Sequence, residues 1–229
     1  MQSFQGAVEG KEGLEIGGPS GAFQDSGILP IYRLVKSLDN CVFSKNTTWE
    51  GERPEGRTFR YHSSKAYGFN FIREACSLHS ILEHSYDFVL SSHNLEHVAD
   101  PVRALKEWIR VMRPGGVIII ILPNCRNTFD HRRKPTTIAH MLEDYERGVG
   151  EADMTHLAEI LELHDLSCDP AAGTFAQFHD RSLHNSENRC LHHHVFDENN
   201  SRALLEAVGL SVHTVELVKP HHIVLLGQS

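Results

Sequence analysis

Two kinds of residue in this 229-residue chain can do chemistry, and they lie in different places. One is a glycine-rich turn, Gly17, Gly18, Pro19, Ser20 and Gly21, which directly follows the short apolar stretch Leu14-Glu15-Ile16. Glycines after a strand allow a tight bend and let a ligand approach the backbone closely, and an acid about 20 residues further on can accept hydrogen bonds from a ribose. Asp39 stands 22 residues after Gly17. The other kind is histidine, 17 in all, nine of them between positions 131 and 194. His93 and His97 follow the apolar run 86–90, where a neutral imidazole could take a proton near pH 7.

The elements that must position these groups follow from the hydrophobic pattern. Residues 86–90 and 117–122 are continuous apolar runs, the signature of strands covered on both faces of a parallel sheet. Between them Asp100 is an N-cap, Pro101 fits the first helical position, and Val102, Leu105, Trp108, Ile109 and Met112 form one apolar stripe. Pro114-Gly115-Gly116 stops that helix. Strand, helix and strand in this order make a right-handed crossover, so the fold is an α/β layer structure. Residues 13–17 read as a first strand and 37–43 as a second, with Asp39 near its end.

The next part, 126–195, reads as a helical insert rich in His and acids, with one helix over 138–147 closed by Gly148 and another over 153–164 capped by Asp153. Such an insert forms a lid or the wall of an acceptor pocket. A helix over 201–208 and strands over 210–217 and 222–227 close a single domain spanning 1–229.

Composition removes several classes of function. The formal charge of −8, from 22 basic and 30 acidic residues, repels a phosphate backbone, so no nucleic-acid partner is expected. The only basic patch holds Arg126, Arg132, Arg133 and Lys134, suited to gripping one phosphate or carboxylate. The longest apolar run is six residues, against about 20 needed to span a bilayer. Five scattered cysteines without a C-x-x-C pair, and an N-terminus without a signal sequence, point to the cytoplasm.

The ordered block Tyr86-Asp87-Phe88-Val89-Leu90, Leu95-Glu96-His97, Asp100-Pro101, Arg110-Val111 and Pro114-Gly115-Gly116 resembles the S-adenosylmethionine-dependent class I methyltransferases, in particular the type 11 methyltransferase domain. The resemblance covers residues 13–123. It implies a Rossmann-like fold, with a mostly parallel seven-stranded sheet, helices on both faces and the His-rich insert after the fifth strand. It also implies S-adenosylmethionine as cofactor, held by Glu15, Gly17, Gly18, Pro19, Ser20 and Gly21. Asp39 takes the place of the ribose-binding acid, with a plain turn acid as the alternative. Glu74 and Ala75 flank the adenine, and Ser91, Ser92 and His93 line the methyl-transfer end. Pro19 stands where the family has glycine, and Pro30 interrupts the first long helix, so an irregular entry to Asp39 is expected.

The catalytic candidates are His93 as base, His97 chiefly as a loop-fixing residue, and His131 at the same sheet edge. The expected reaction is O-methylation of a polar small molecule such as a sugar or glycan precursor. A divalent metal is not favoured, since no H-E-x-x-H spacing occurs, and no metal ligands are assigned. Two other classes stay open: a metal-binding hydrolase built on the insert, and a catalytically silent methyltransferase-like subunit acting through a partner.

Overall fold

A computed structural model of the chain describes residues 2–47 and 51–229. Its strands are β1 (Glu12–Ile16), β2 (Ser37–Val42), β3 (Asn46–Thr47), β4 (Gly51–Glu52), β5 (Gly56–Phe59), β6 (Gly68–Ile72), β7 (Tyr86–Ser92), β8 (Met112–Pro123), β9 (Ser211–Val218) and β10 (His222–Gln228). The helices are α1 (Gln2–Val8), α2 (Pro101–Val111), α3 (Ile138–Arg147), α4 (Leu157–Leu163), α5 (Phe175–Leu183), α6 (Asn185–Asn188) and α7 (Glu198–Ala207).

Eight strands form one sheet in the order β5-β6-β2-β1-β7-β8-β10-β9, and β3 pairs with β4 separately. The five central strands from β6 to β8 run parallel, while β10 lies antiparallel to both β8 and β9. One strand more than expected is present: β5 adds an antiparallel edge to β6.

Alternation along β8 shows why these runs are apolar throughout. Ile118, Ile120 and Leu122 face one core with the α2 residues Val102, Leu105 and Trp108 and the α7 residues Leu204 and Leu205. Val117, Ile119 and Ile121 face the other, with Phe4 and Val8 of α1 and with Phe23, Leu29, Ile31 and Tyr32. A strand with hydrophobic layers on both sides has no solvated face to mark with polar residues.

Helix α2 starts as its sequence dictates: the Asp100 carboxylate accepts from the Arg103 N–H at 2.9 Å, and Pro101 sits where no N–H is needed. Helix α3 has Thr137 as N-cap and ends at Gly148, which takes φ +66°. Helix α7 begins before the expected 201, because Asp197 and Asn200 form a reciprocal capping box. Asp197→Ala should lower unfolding free energy in urea by about 1 kcal/mol through loss of that cap.

Two local expectations fail, at Asp153 and Asp39, and the irregular entry expected at Pro30 holds. Asp153 does not cap a helix; the chain stays in turns until His156, and α4 is correspondingly shorter. Between β1 and β2 there is only a 3₁₀ turn (Gly21–Phe23) among irregular backbone, and this interruption accommodates Pro30. Asp39 is the third residue of the six-residue β2, opposite Leu14, and lies well below the strand's carboxyl end.

The insert is tied to the sheet domain and also has a small core of its own. Met141 of α3 is fully buried in the main core, while Ile160, Ala172, Phe178 and Leu191 cluster separately.

Candidate functional site

The glycine turn is held by side chains from beneath and beside it. Gly17 takes φ +80° and donates to the Cys41 carbonyl at 2.9 Å. The Gly18 N–H donates to Asn40 Oδ1 at 2.9 Å, and Asn40 Nδ2 reaches back to the Gly18 carbonyl and to Asn70 Oδ1. Glu15, fully buried, accepts from the Ser20 N–H at 3.1 Å and from the Tyr32 hydroxyl at 2.8 Å. A Cβ on Gly18 would lie 2.2 Å from the Glu15 carboxyl carbon. The turn is therefore preorganised by Glu15 and Asn40.

Beside it, β7 ends at Ser92 and the backbone turns sharply through His93, at φ +48°. That region is uncommon for a non-glycine residue and recurs at binding sites. The His93 ring has Nε2 2.8 Å from His222 Nδ1 and Nδ1 3.5 Å from Glu96 Oε1.

The turn and this tip wall one cavity of about 330 Å³, within the usual range for small-molecule sites. Gly17, Pro19 and Ser20 line one side and Ser92, His93 and Asn94 the next. Val42 and Phe43 at the end of β2, with Glu74 and Ala75 after β6, form an apolar flank with one acid. His97, Thr128, Phe129, His192 and His221 close the far end.

Burial sets the charges there. Glu96 is 1% exposed, and neither of its carboxylate oxygens makes a hydrogen bond. Burial opposes its ionisation, but His93 and the rings of His97 and His192 hold its carboxyl below the ordinary value. Burial pushes His97 down to about 4, which keeps it neutral, and its Nδ1 lies 3.0 Å from the Leu191 carbonyl. His192 is also buried, yet Asp130, 2.5 Å from its Nδ1, raises its affinity for a proton. Burial, with the His93 ring beside it, takes His222 to about 4. Ligand atoms of Glu96, His97 and His192 lie within 4.8 Å of one another, as do those of His93, His221 and His222. Either trio has the atoms to hold a cation.

An arginine crosses the cavity. Arg189, itself at φ +55°, reaches Glu74 Oε1 with Nη2 at 2.8 Å and Glu151 Oε2 with Nη1 at 3.1 Å, and lies over the Phe43 ring. Burial raises the Glu151 carboxyl against the pull of this guanidinium.

Several expected residues stand elsewhere. The Asp39 carboxylate is taken up by the Phe69 N–H at 2.7 Å and the Tyr86 hydroxyl at 2.8 Å, so it does not line the cavity. Phe43 and Ser44 follow β2 at the level where an acid was expected. Glu15 braces the turn from below, and Gly18 and Gly21 likewise stay off the cavity wall. Ser91 is fully buried within the sheet, whereas Ser92 reaches the cavity. His131 is exposed, beside the Thr128 carbonyl and Asp165, and is not a cavity residue. Arg132 pairs with Asp165, and Arg133 is buried against Asp130 and the His192 carbonyl, so neither offers a free grip for an anion.

Asn40, Phe43, Asn94, Glu96, Glu151 and Arg189 were not marked as site residues. They come from four separate segments, and only Glu96, inside Leu-Glu-His, carried a signal that could have singled it out.

Comparison with known proteins agrees with this geometry. A family described as "Methyltransferase domain" matches residues 56–120, downstream of the glycine turn. Three proteins of Mycobacterium sp. (strains KMS, JLS and MCS), each called an uncharacterized methyltransferase, are 33% identical over 70 residues. That stretch is 31% of this chain and only 28% of theirs.

Solved structures match along the full length. A putative S-adenosylmethionine-dependent methyltransferase from Listeria monocytogenes has TM-score 0.54 at 13% identity, covering 100% of this chain and 96% of its own. One from Mesorhizobium loti gives 0.53 at 13%, covering 100% and 95%. One from Methanosarcina mazei gives 0.52 at 17%, covering 100% and 97%. The fold is thus the Rossmann-like class I fold of S-adenosylmethionine-dependent methyltransferases. No helix among the described residues is long and apolar enough to cross a membrane.

Proposed function

We propose that the chain is an S-adenosylmethionine-dependent methyltransferase acting on a hydroxyl of a polar small molecule, such as a sugar or glycan precursor. The observation that carries this reading is the single cavity bounded by Gly17, Pro19 and Ser20 on one side and by Ser92, His93 and Asn94 on the next.

The residues present suit a nucleoside cofactor. Gly17 admits close approach, the Ser92 hydroxyl is buried without a hydrogen bond, and Phe43 with Ala75 offers an apolar flank for a base. No carboxylate of β2 reaches the cavity, and among the described residues the carboxylates that line it are Glu74, Glu96 and Glu151. Bound there, the cofactor supplies an electrophilic methyl group. Holding the acceptor in line with it can itself lower the barrier by roughly 7–11 kcal/mol.

The protein's own part is to orient the acceptor and receive a proton. His93 takes that proton on Nε2 once the acceptor hydroxyl replaces its partner His222 Nδ1, 2.8 Å away, and the buried Glu96 carboxylate on the Nδ1 side stabilises the imidazolium that results. At the far end the imidazoles of His97, His192 and His221, beside Thr128 and Phe129, supply hydrogen-bonding groups for a hydroxylated acceptor. The chain's acidity argues against nucleic acid. Five scattered cysteines without a C-x-x-C pair suit a reducing cytoplasm.

Calorimetry with S-adenosylhomocysteine tests the cofactor half, and no heat of binding would end the proposal. Incubating the protein with cell extract and trideuteromethyl-labelled cofactor, then finding by mass spectrometry the small molecule that gains the label, identifies the acceptor. Label appearing in RNA, DNA or protein would overturn the substrate class.

A further inference from the structure

A second group of imidazoles lies in the insert, apart from the cavity. His140 and Asp144 are one turn apart on α3, His156 immediately precedes α4, and His194 belongs to the irregular segment that leads into α7. His140 Nε2 is 3.1 Å from His156 Nε2 and 3.2 Å from Asp144 Oδ2, and His194 Nε2 is 3.9 Å from the same oxygen. One ligand atom from each of the four lies within 4.8 Å of the other three. The three rings sit edge to face, with centroids 5.0, 5.9 and 6.1 Å apart, as imidazoles do when they converge on a point.

Hydrogen bonding leaves this arrangement incomplete. One nitrogen, His140 Nε2, faces both an imidazole nitrogen and a carboxylate, and a single N–H cannot serve the two fully. The Asp144 side chain is 5% exposed, and among the described residues its only partners at ion-pair distance are imidazoles. His194 is buried, with Nδ1 lacking any hydrogen-bond partner.

We propose that His140, Asp144, His156 and His194 form a zinc site that pins the insert. Three imidazoles and one carboxylate are a tetrahedral zinc set. Zinc bonds of about 2.0–2.1 Å place ligand atoms roughly 3.3 Å apart, close to the two shortest separations here. Magnesium and calcium prefer all-oxygen shells, so this donor set selects against them. An i, i+4 pair on one helix face supplies two ligands, and the contact of His194 Nε2 with the Ala99 carbonyl at 3.1 Å fixes its ring.

The ion would join α3, the start of α4 and the segment that carries His192 into the cavity. From the sequence a divalent metal is possible but not favoured, and no ligands are assigned. The four ligands span 55 positions, too spread to register as a motif. The inference does not depend on methyl transfer.

The test uses the full chain, produced without a histidine tag in zinc-supplemented medium. Elemental analysis after gel filtration should find close to one zinc per chain, and cobalt substitution should give the visible spectrum of a tetrahedral site. Chelation should lower Tm by roughly 10 °C, restored by zinc and not by magnesium. His140→Ala and Asp144→Asn should lose the zinc, whereas Glu96→Gln in the cavity should keep it. His156→Cys, which retains a zinc ligand, should keep it too and guards against mere misfolding. Zinc-free wild-type protein with an unchanged Tm would overturn the proposal, as would zinc that survives His140→Ala but leaves with Glu96→Gln.

Discussion

Gly17→Val is expected to abolish binding of S-adenosylhomocysteine, lowering affinity at least a thousandfold, while the chain stays folded. Two effects act together. Gly17 sits at φ +80°, where a β-branched residue is strained, and a Cβ there would come within 2.7 Å of Asn94 Nδ2. Asn94 belongs to the tip that faces the turn, so relieving the clash means moving one wall of the cavity away from the other. The three nearest atoms to the new Cβ all belong to Asn94 in the tip and none to the core, so circular dichroism and the denaturation midpoint should show a folded protein. Calorimetric titration of the variant is the measurement. Retention of wild-type affinity would mean that the turn is not where the cofactor sits.

His93→Ala is expected to lower turnover by about 10²–10⁴-fold, the usual contribution of a positioned base. Cofactor affinity should stay within about threefold, because the turn and the apolar flank are untouched. Removing the ring also leaves Glu96, 1% exposed, without its nearest imidazole, and a buried carboxylate deprived of a partner destabilises a fold. His93→Gln should therefore be measured beside it. It keeps a donor toward Glu96 but cannot serve as a base near pH 7, so it should be as slow as His93→Ala yet more stable. Initial rates with saturating labelled cofactor separate these effects, and unchanged turnover in both variants would remove His93 from the mechanism.

Much of the scaffold was legible because local patterns and tertiary demands agree. Asp100-Pro101 with the stripe through Trp108 could be read as α2, and the unbroken run at 117–122 as a strand covered on both faces. Thr137 and Gly148 bound α3 at the residues where a cap and a left-handed stop belong. The glycine turn and the tip at Ser92-His93 were marked from sequence as two halves of one site, and they do share a cavity.

Asp39 shows where such reading fails. Its spacing from Gly17 suits a ribose acid, but spacing along the chain does not say how far up the strand a residue stands. Pairing with Leu14 sets Asp39 low, where Tyr86 and the Phe69 N–H take its carboxylate. His131 fails for the opposite reason, since nearness in sequence to the sheet edge left it on the surface. Arg189 was legible only as one more charge in a polar tract, though it spans Glu74 and Glu151.

By itself the sequence determined the periodicities, the caps and the sharp turns, because these depend on residues at most four or five positions apart. Only the tertiary structure decided which polar groups meet. The three adjacent imidazoles at 192–194 make the point: His192 joins Asp130 at the cavity, His193 goes to Asn185, and His194 turns to Asp144 and His140. Each ring follows the buried partner that offsets its own desolvation, and those partners lie 8 to 62 positions away, beyond the reach of any local pattern.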